Sequence, residues 1–382
     1  MASYFRPLGR FSTREGLPRP YTEDCAAMPS TIASQTALPT GFASRVDSIS
    51  SFRVGSWLRK YAWFVLGWNI AVVLWGAVVR ATASGAGCGN HWPLCNGELI
   101  PTSPRITTII EFTHRAMTGG TTVTVLALLI WTFRATHARH LARVTAAAST
   151  LLLINEAFLG ALLVKLGYVV ANQSAGRFIV LPIHLANTLL LLAALALTAH
   201  FLGRGSGFMN GSVEFRFLGI TLLGLAATVA VGVTGSLAAL GDTLFPSATF
   251  AQALAQDWSH SSPWILRIRW LHPAFSLLAA AFILGIIWIS RARDSEDRKL
   301  ANTVIGLMLF QFFLGGFDVL LSAPTWMQIV HLLGADIFWA TLVVLAARVT
   351  VVPLGCPGNI CRFSSGRLSQ GETGLTDSVP QI

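Results

Sequence analysis

Glu111-Phe112-Thr113-His114-Arg115 lies near the start of an apolar run over 107–133. A carboxylate, an imidazole and a guanidinium within five residues are expensive at membrane depth, so such groups mark a functional site. On a helix, Glu111 and His114 fall on one face about a turn apart. Three further histidines, His184, His272 and His331, hold matching places in later apolar runs.

The chain has 382 residues, 53% hydrophobic and 12% charged, with a mean hydropathy of +0.61. Soluble domains carry about twice that charge fraction. Eight apolar runs, at about 61–79, 107–133, 144–164, 178–202, 217–240, 266–290, 300–321 and 327–347, approach the roughly twenty residues that cross about 30 Å of hydrocarbon. They lack the period-two alternation of a barrel. The expected fold is all-α, a polytopic membrane protein with eight transmembrane helices.

A net charge of +10 could signal nucleic acid, but its placement argues otherwise. Of the 27 Lys and Arg residues, twenty fall in segment 1–60, the 134–143, 204–216 and 291–299 loops and the tail, and seven on the other side. The positive-inside rule puts both termini in the cytoplasm. A cell (plasma) membrane is the expected setting, with the mitochondrial inner membrane as the alternative, and the partner is the lipid bilayer, with no nucleic acid.

Residues 1–54 are rich in Ser, Thr, Pro and Arg without apolar period, and read as a disordered cytoplasmic extension. A transit peptide is an alternative that Glu15, Glu23, Asp24 and Asp47 weaken, and initiation at Met28 is a third reading. The first outer loop holds Cys88 and Cys95, enclosing six residues with Gly, Asn and Pro. On the oxidising side this spacing allows a disulfide. Two free thiols are the alternative, and the spacing does not suit a C-x2-C metal site. Cys356 and Cys361, after the last run, read as ordinary thiols.

The motifs recur at a long offset. Gly76 and Gly232 are 156 apart, Phe158-Leu-Gly160 and Phe313-Leu-Gly315 are 155 apart, His114 and His272 are 158 apart, and His184 and His331 are 147 apart. The chain reads as two tandem four-helix bundles, 55–203 and 204–350, followed by a cytoplasmic tail at 351–382. With an even number of spans each, they are related by a pseudo-twofold axis along the membrane normal.

The second, fourth, sixth and eighth runs all go from outside to inside, so the four histidines lie at one depth in the outer half of the bilayer. Imidazoles facing across a bundle can supply both axial ligands of a haem iron, and two units make two such sites. Packing histidines are the plainer reading for one such residue, but the fourfold repetition favours ligation. Glu111 has no counterpart, because Arg269 stands three residues before His272. A carboxylate beside one iron can move protons or stabilise a cation; a salt bridge to Arg115 or Arg80 is its alternative role. Arg80, Arg105, Arg267 and Arg269 collect at the outer boundary, where they are candidate propionate contacts or snorkelling side chains. Arg115 is a further candidate.

Several of these motifs together resemble the haem A synthase family. They are Gly76-Ala-Val-Val-Arg80-x-Thr82-x-Ser84-Gly85, Cys88, Trp92-Pro93-x-Cys95-x-Gly97 and Glu111-x-x-His114-Arg115, then Leu240-Gly241-Asp242-Thr243-Leu244-Phe245-Pro246 and the later histidine pair. The resemblance covers about 55–350 and is nearest to the bacterial form with a cysteine pair in its first outer loop. It implies oxidation of the C8 methyl of haem O to a formyl group, giving haem A for cytochrome oxidases. It implies a resident haem b on His272 and His331, haem O between His114 and His184, catalysis by Glu111, and a Cys88–Cys95 disulfide. The partners it implies are the haem O substrate, an electron partner, haem O synthase and cytochrome oxidase assembly proteins, with room for a homo-oligomer. A di-haem electron-transfer cytochrome and a haem carrier or transporter are the competing readings.

Overall fold

The computed structural model describes residues 55–353 other than 103, 205–210 and 292. The N-terminal extension at 1–54 and Cys356 and Cys361 lie outside the described residues. The helices are α1 (Ser56–Ala81), α2 (Ile106–Ala135), α3 (Leu141–Lys165), α4 (Ala175–Gly203), α5 (Phe215–Leu244), α6 (Phe250–Trp258), α7 (Trp264–Arg267), α8 (Leu271–Arg291), α9 (Ser295–Leu320) and α10 (Thr325–Thr350). Eight spans are long and apolar enough to cross a membrane, α7 and α8 together making one of them. All eight expected runs are therefore helices. In hydrocarbon, only a helix or a closed barrel satisfies every backbone N–H and C=O internally.

The sixth span departs from the single continuous helix expected over 266–290. It breaks after Arg267, and i to i−3 bonds from Leu271 to Ile268 and from His272 to Arg269 carry the chain through a turn into α8. Pro273 is the cause. It has no N–H to donate and disfavours helical backbone at the residue before it, so it is accommodated in a first helical turn. The break sets Arg269 and His272 at a helix start.

Helices α1 to α4 pack in succession and α4 returns to α1. The helices α5, α8, α9 and α10 do the same, with α10 returning to α5. The two sets meet through α4 and α10, which touch each other and reach α5 and α1 respectively. These two helices are the most buried spans. They are joined at the centre where Trp339 Nε1 donates to the Leu189 carbonyl at 2.7 Å. Leu189 also presses on α5, where a Cβ on Gly232 would stand 2.7 Å from its Cδ1. Two short strands, β1 (Gly211–Val213) and β2 (Val351–Pro353), pair antiparallel with Gly211 opposite Pro353. Arg293 reinforces that end through Glu214 and the Arg348 and Val349 carbonyls.

At the same end, His140 caps α3, its Nδ1 accepting from the Ala142 N–H at 3.1 Å. The ring must be neutral to accept. Burial first, then Arg143 and His137, holds its pKa below the usual 6.5. A depressed histidine pKa gives stability that is present above the unfolded value and lost as the pH falls below it. Thermal unfolding of the solubilised protein should therefore lose up to about 1 kcal/mol from this cap as the pH drops below about 6.5. A His140→Asn cap, which does not titrate, should flatten that part of the profile.

Candidate functional site

Each of the four histidines enters its span six to nine residues from the start: 114 against 106, 184 against 175, 272 against 264, 331 against 325. Each also meets a glycine on the span before it. A Cβ added to Gly76 would lie 3.2 Å from the His114 ring, one on Gly235 2.9 Å from His272, and one on Gly315 3.2 Å from His331, while one on Gly160 would lie 3.9 Å from His184. Absence of a side chain lets the imidazole lie against the neighbouring backbone, and the arrangement repeats four times. Gly235, rather than Gly232, is thus the contact counterpart of Gly76.

His272 and His331 face each other with ring centroids 6.3 Å apart and planes at 90°. Two metal–nitrogen bonds of about 2 Å fit between rings at that separation. His272 Nδ1 lies 3.0 Å from the Val231 carbonyl, which leaves Nε2 for the space between the rings. Metal-bound histidines commonly anchor their second nitrogen in this way. His114 and His184 lie within each other's electrostatic reach. His184 Nδ1 stands 3.2 Å from Glu156 Oε1. Among the described residues no cluster of three or more His, Cys, Asp or Glu side chains could hold a metal ion. Pairs of this kind suit an iron whose other ligands come from a macrocycle.

Glu111 is 3% exposed and both its oxygens are engaged. Oε1 pairs with Arg115 at 2.5 Å and Oε2 accepts the Cys88 N–H at 2.8 Å. Arg115 Nη1 also donates to the His91 and Leu94 carbonyls, each at 2.6 Å. Cys88 and Cys95 form a disulfide, and both are buried. Gly87 gives its carbonyl to Thr108 Oγ1 at 2.8 Å. The Glu111–Arg115 pair therefore fastens the disulfide loop onto α2 beside His114.

The second set of helices has a parallel clamp built from other residues. Arg269 pairs with Asp242 at 2.5 Å and Asp257 at 2.6 Å, and donates to the Ala253 carbonyl at 3.0 Å. It ties α6 and the end of α5 to the turn before His272. Arg80 bridges the two sets, donating to the Ala239 carbonyl at 2.7 Å, to Thr243 and to Gln328 Oε1 at 2.7 Å. Asp242, Thr243 and Gln328 line a polar cavity of about 290 Å³ there. Arg105 and Arg267 are exposed. Of the five arginines, three are thus engaged in holding the outer end together.

Glu156 is the residue that motif spacing did not single out. Its signals in the sequence are a carboxylate inside the apolar run 144–164 and its place four residues before Gly160, where the second set has Gln311 before Gly315.

Fold and site together define a polytopic helical membrane protein with two glycine-seated histidine pairs near one end. Residues 59–343 match the family model described as cytochrome oxidase assembly protein, COX15-CtaA. The chain belongs to this family. It is 43% identical over 296 residues to a protohaem IX farnesyltransferase of Thermus thermophilus, covering 76% of this chain and 48% of that protein. The chain thus spans about half the length of that relative. It is 31% identical over 285 residues to a haem A synthase of Halalkalibacterium halodurans, covering 72% of this chain and 90% of the relative. A haem A synthase of Exiguobacterium sibiricum is 29% identical over 287 residues, covering 72% and 89%.

Removing the clamp should free the loop. Glu111→Ala deletes the acceptor for Cys88 N–H and leaves Arg115 without its carboxylate, so mild reductant followed by thiol labelling should modify Cys88 and Cys95 at least tenfold faster than in the parent. An unchanged labelling rate would remove Glu111 from the fastening of the loop.

Proposed function

We propose that this chain is a haem A synthase, which takes haem O and oxidises its C8 methyl to a formyl group, a four-electron oxidation that exchanges two hydrogens for one oxygen and passes the electrons to an electron partner. The observation that carries this reading is the pair His272 and His331, facing at 6.3 Å with perpendicular rings, together with a second glycine-seated pair that differs from it in its carboxylates. Four ligands alone would serve an electron-transfer cytochrome equally well. The names of the haem A synthase relatives and the cytochrome oxidase assembly family favour the synthase.

In this reading the chain forms two units, 55–203 and 204–350, related by a pseudo-twofold axis along the membrane normal. His272 and His331 hold a resident haem b, and that group supplies one-electron redox chemistry which protein side chains lack. His114 and His184 receive haem O. Glu111 is the catalytic carboxylate of the substrate half: paired with Arg115 beside His114, it can stabilise positive charge that develops at the neighbouring substrate. The disulfide loop closes the outer end over that half and excludes water. Arg80, Arg105, Arg115, Arg267 and Arg269 are the cations that would serve the propionates, and Arg105 and Arg267 have no side-chain hydrogen bond or ion pair among the described residues. The excess of Lys and Arg on one side supports cytoplasmic termini in the plasma membrane, and the Cys88–Cys95 bond supports an oxidising compartment for the opposite loops. Farnesyl transfer to protohaem is the kind of step that supplies the substrate. A relative named for that transfer carries this region within about half its length, which supports a haem O synthase as a functional neighbour.

Expression in a host that makes haem O but no haem A, followed by pigment extraction, tests the reaction. Haem A should accumulate; a folded, haem-loaded protein that yields none overturns the assignment in favour of an electron-transfer cytochrome. Replacing His272 or His331 by Ala should lower resident haem by more than about tenfold.

The glycine seats give a graded test. Gly235→Ala puts a methyl 2.9 Å from the His272 ring and Gly160→Ala one 3.9 Å from His184. The first should displace its histidine and deplete haem from the purified protein, and the second should be tolerated. Equal haem content in both variants would detach the glycine contact from ligation.

A further inference from the structure

The runs Glu156-Ala-Phe-Leu-Gly160 on α3 and Gln311-Phe-Phe-Leu-Gly315 on α9 share their spacing. Each ends at the glycine that seats a histidine of the following span. What stands four residues earlier differs in kind. Glu156 Oε1 lies 3.2 Å from His184 Nδ1, with the ring turned off the line of a hydrogen bond. The carboxylate also accepts from Asn187 Nδ2 at 2.5 Å and from the Thr188 hydroxyl. Asn187 is itself held by the Leu152 carbonyl at 2.9 Å and by Asn155 at 2.8 Å. These donors come three and four residues after His184. At the same offsets from His331 stand Gly334 and Ala335, neither with a side-chain donor. Gln311 Nε2 and His331 Nδ1 are both buried without a hydrogen-bond partner. A braced carboxylate behind the ligand histidine is therefore present in one half and replaced by an amide in the other.

We propose that Glu156 is the positioning residue of the first site: with iron bound, the His184 ring turns so that its Nδ1–H donates to the carboxylate 3.2 Å away and Nε2 is presented to the iron, making His184 a stronger donor than His331. The inference rests on the reading of His184 and His331 as iron ligands. A carboxylate behind a ligating imidazole fixes its tautomer and raises its basicity, and a more basic ligand favours the ferric over the ferrous iron. The first-site iron is then the more reducing of the two, and electrons leaving it run downhill towards the second site. Glu156 and Glu111 divide the work, one acting on the ligand and the other on the cap.

The test is a spectroelectrochemical titration of full-length protein purified in detergent, with iron protoporphyrin IX added to fill the first site. Glu156→Gln should weaken the ferric preference of the first site about tenfold, a rise of about 59 mV for a one-electron couple, while the second site keeps its potential. Gln311→Glu should lower the second-site potential and leave the first alone. Unchanged potentials in haem-loaded variants overturn the proposal. If Glu156→Gln does not fold, Gln311→Glu decides alone, and an unmoved second-site potential overturns it. His184→Ala separates the two levels of the argument. Loss of first-site haem there, with unmoved potentials in the other variants, overturns only the role of Glu156. Retention of an unaltered first-site spectrum overturns the ligand reading and this inference with it.

Discussion

The close approach of an imidazole to a glycine backbone on the preceding span is the constraint on which the outer half of this protein depends. A histidine in hydrocarbon needs both a place for its ring and an occupation for its nitrogens. A side chain on the facing helix would fill the place. Glycine clears it at a modest cost in helix propensity, about 1 kcal/mol against alanine, which the packing of long apolar spans absorbs. Because the contact joins consecutive spans, α1 to α2, α3 to α4, α5 to α8 and α9 to α10, it also fixes their relative rotation. The rings then face inward without any further device.

Charge at the outer end is organised around the same depth. Coulomb attraction is several-fold stronger in the membrane-embedded protein than in water, so an unpartnered arginine there would be costly and a bridging one effective. Arg115 gathers a carboxylate and two loop carbonyls, and Arg269 two carboxylates and a carbonyl of α6. Arg80 instead joins the two helix sets through the Ala239 carbonyl, Thr243 and Gln328. The two caps differ in material, a disulfide loop in one case and the short helix α6 in the other. Both are fastened by an arginine within three residues of a seated histidine.

The spans and the histidines were legible from the chain because hydropathy and depth are carried by sequence position alone. The glycine pairing was legible only to within a helical turn. Gly232 and Gly235 lie three apart on one face of α5, and repeat spacing cannot choose between them. The choice is made by Leu189, which occupies the Gly232 side. Pro273 stood in plain view, yet the apolar run around it concealed the break that frees Arg269. The partners of Arg80 and Glu156 could not be read at all, since they depend on residues up to 248 positions away and on which side of each helix faces inward.

The asymmetry between the halves is more than the single glutamate that the chain advertises. Glu111 is tied to Arg115 and the Cys88 amide, so both its oxygens hold the loop. Glu156 has two donors and, among the described residues, no arginine or lysine paired with it, and His184 Nδ1 stands 3.2 Å from its Oε1. Two sets of helices with identical surroundings for their histidines would make two equivalent sites. Changing a residue behind one seated histidine, and the two donors that brace it, is a small sequence difference. It acts at the histidine itself, and needs no movement of either set of helices to make the two sites unequal.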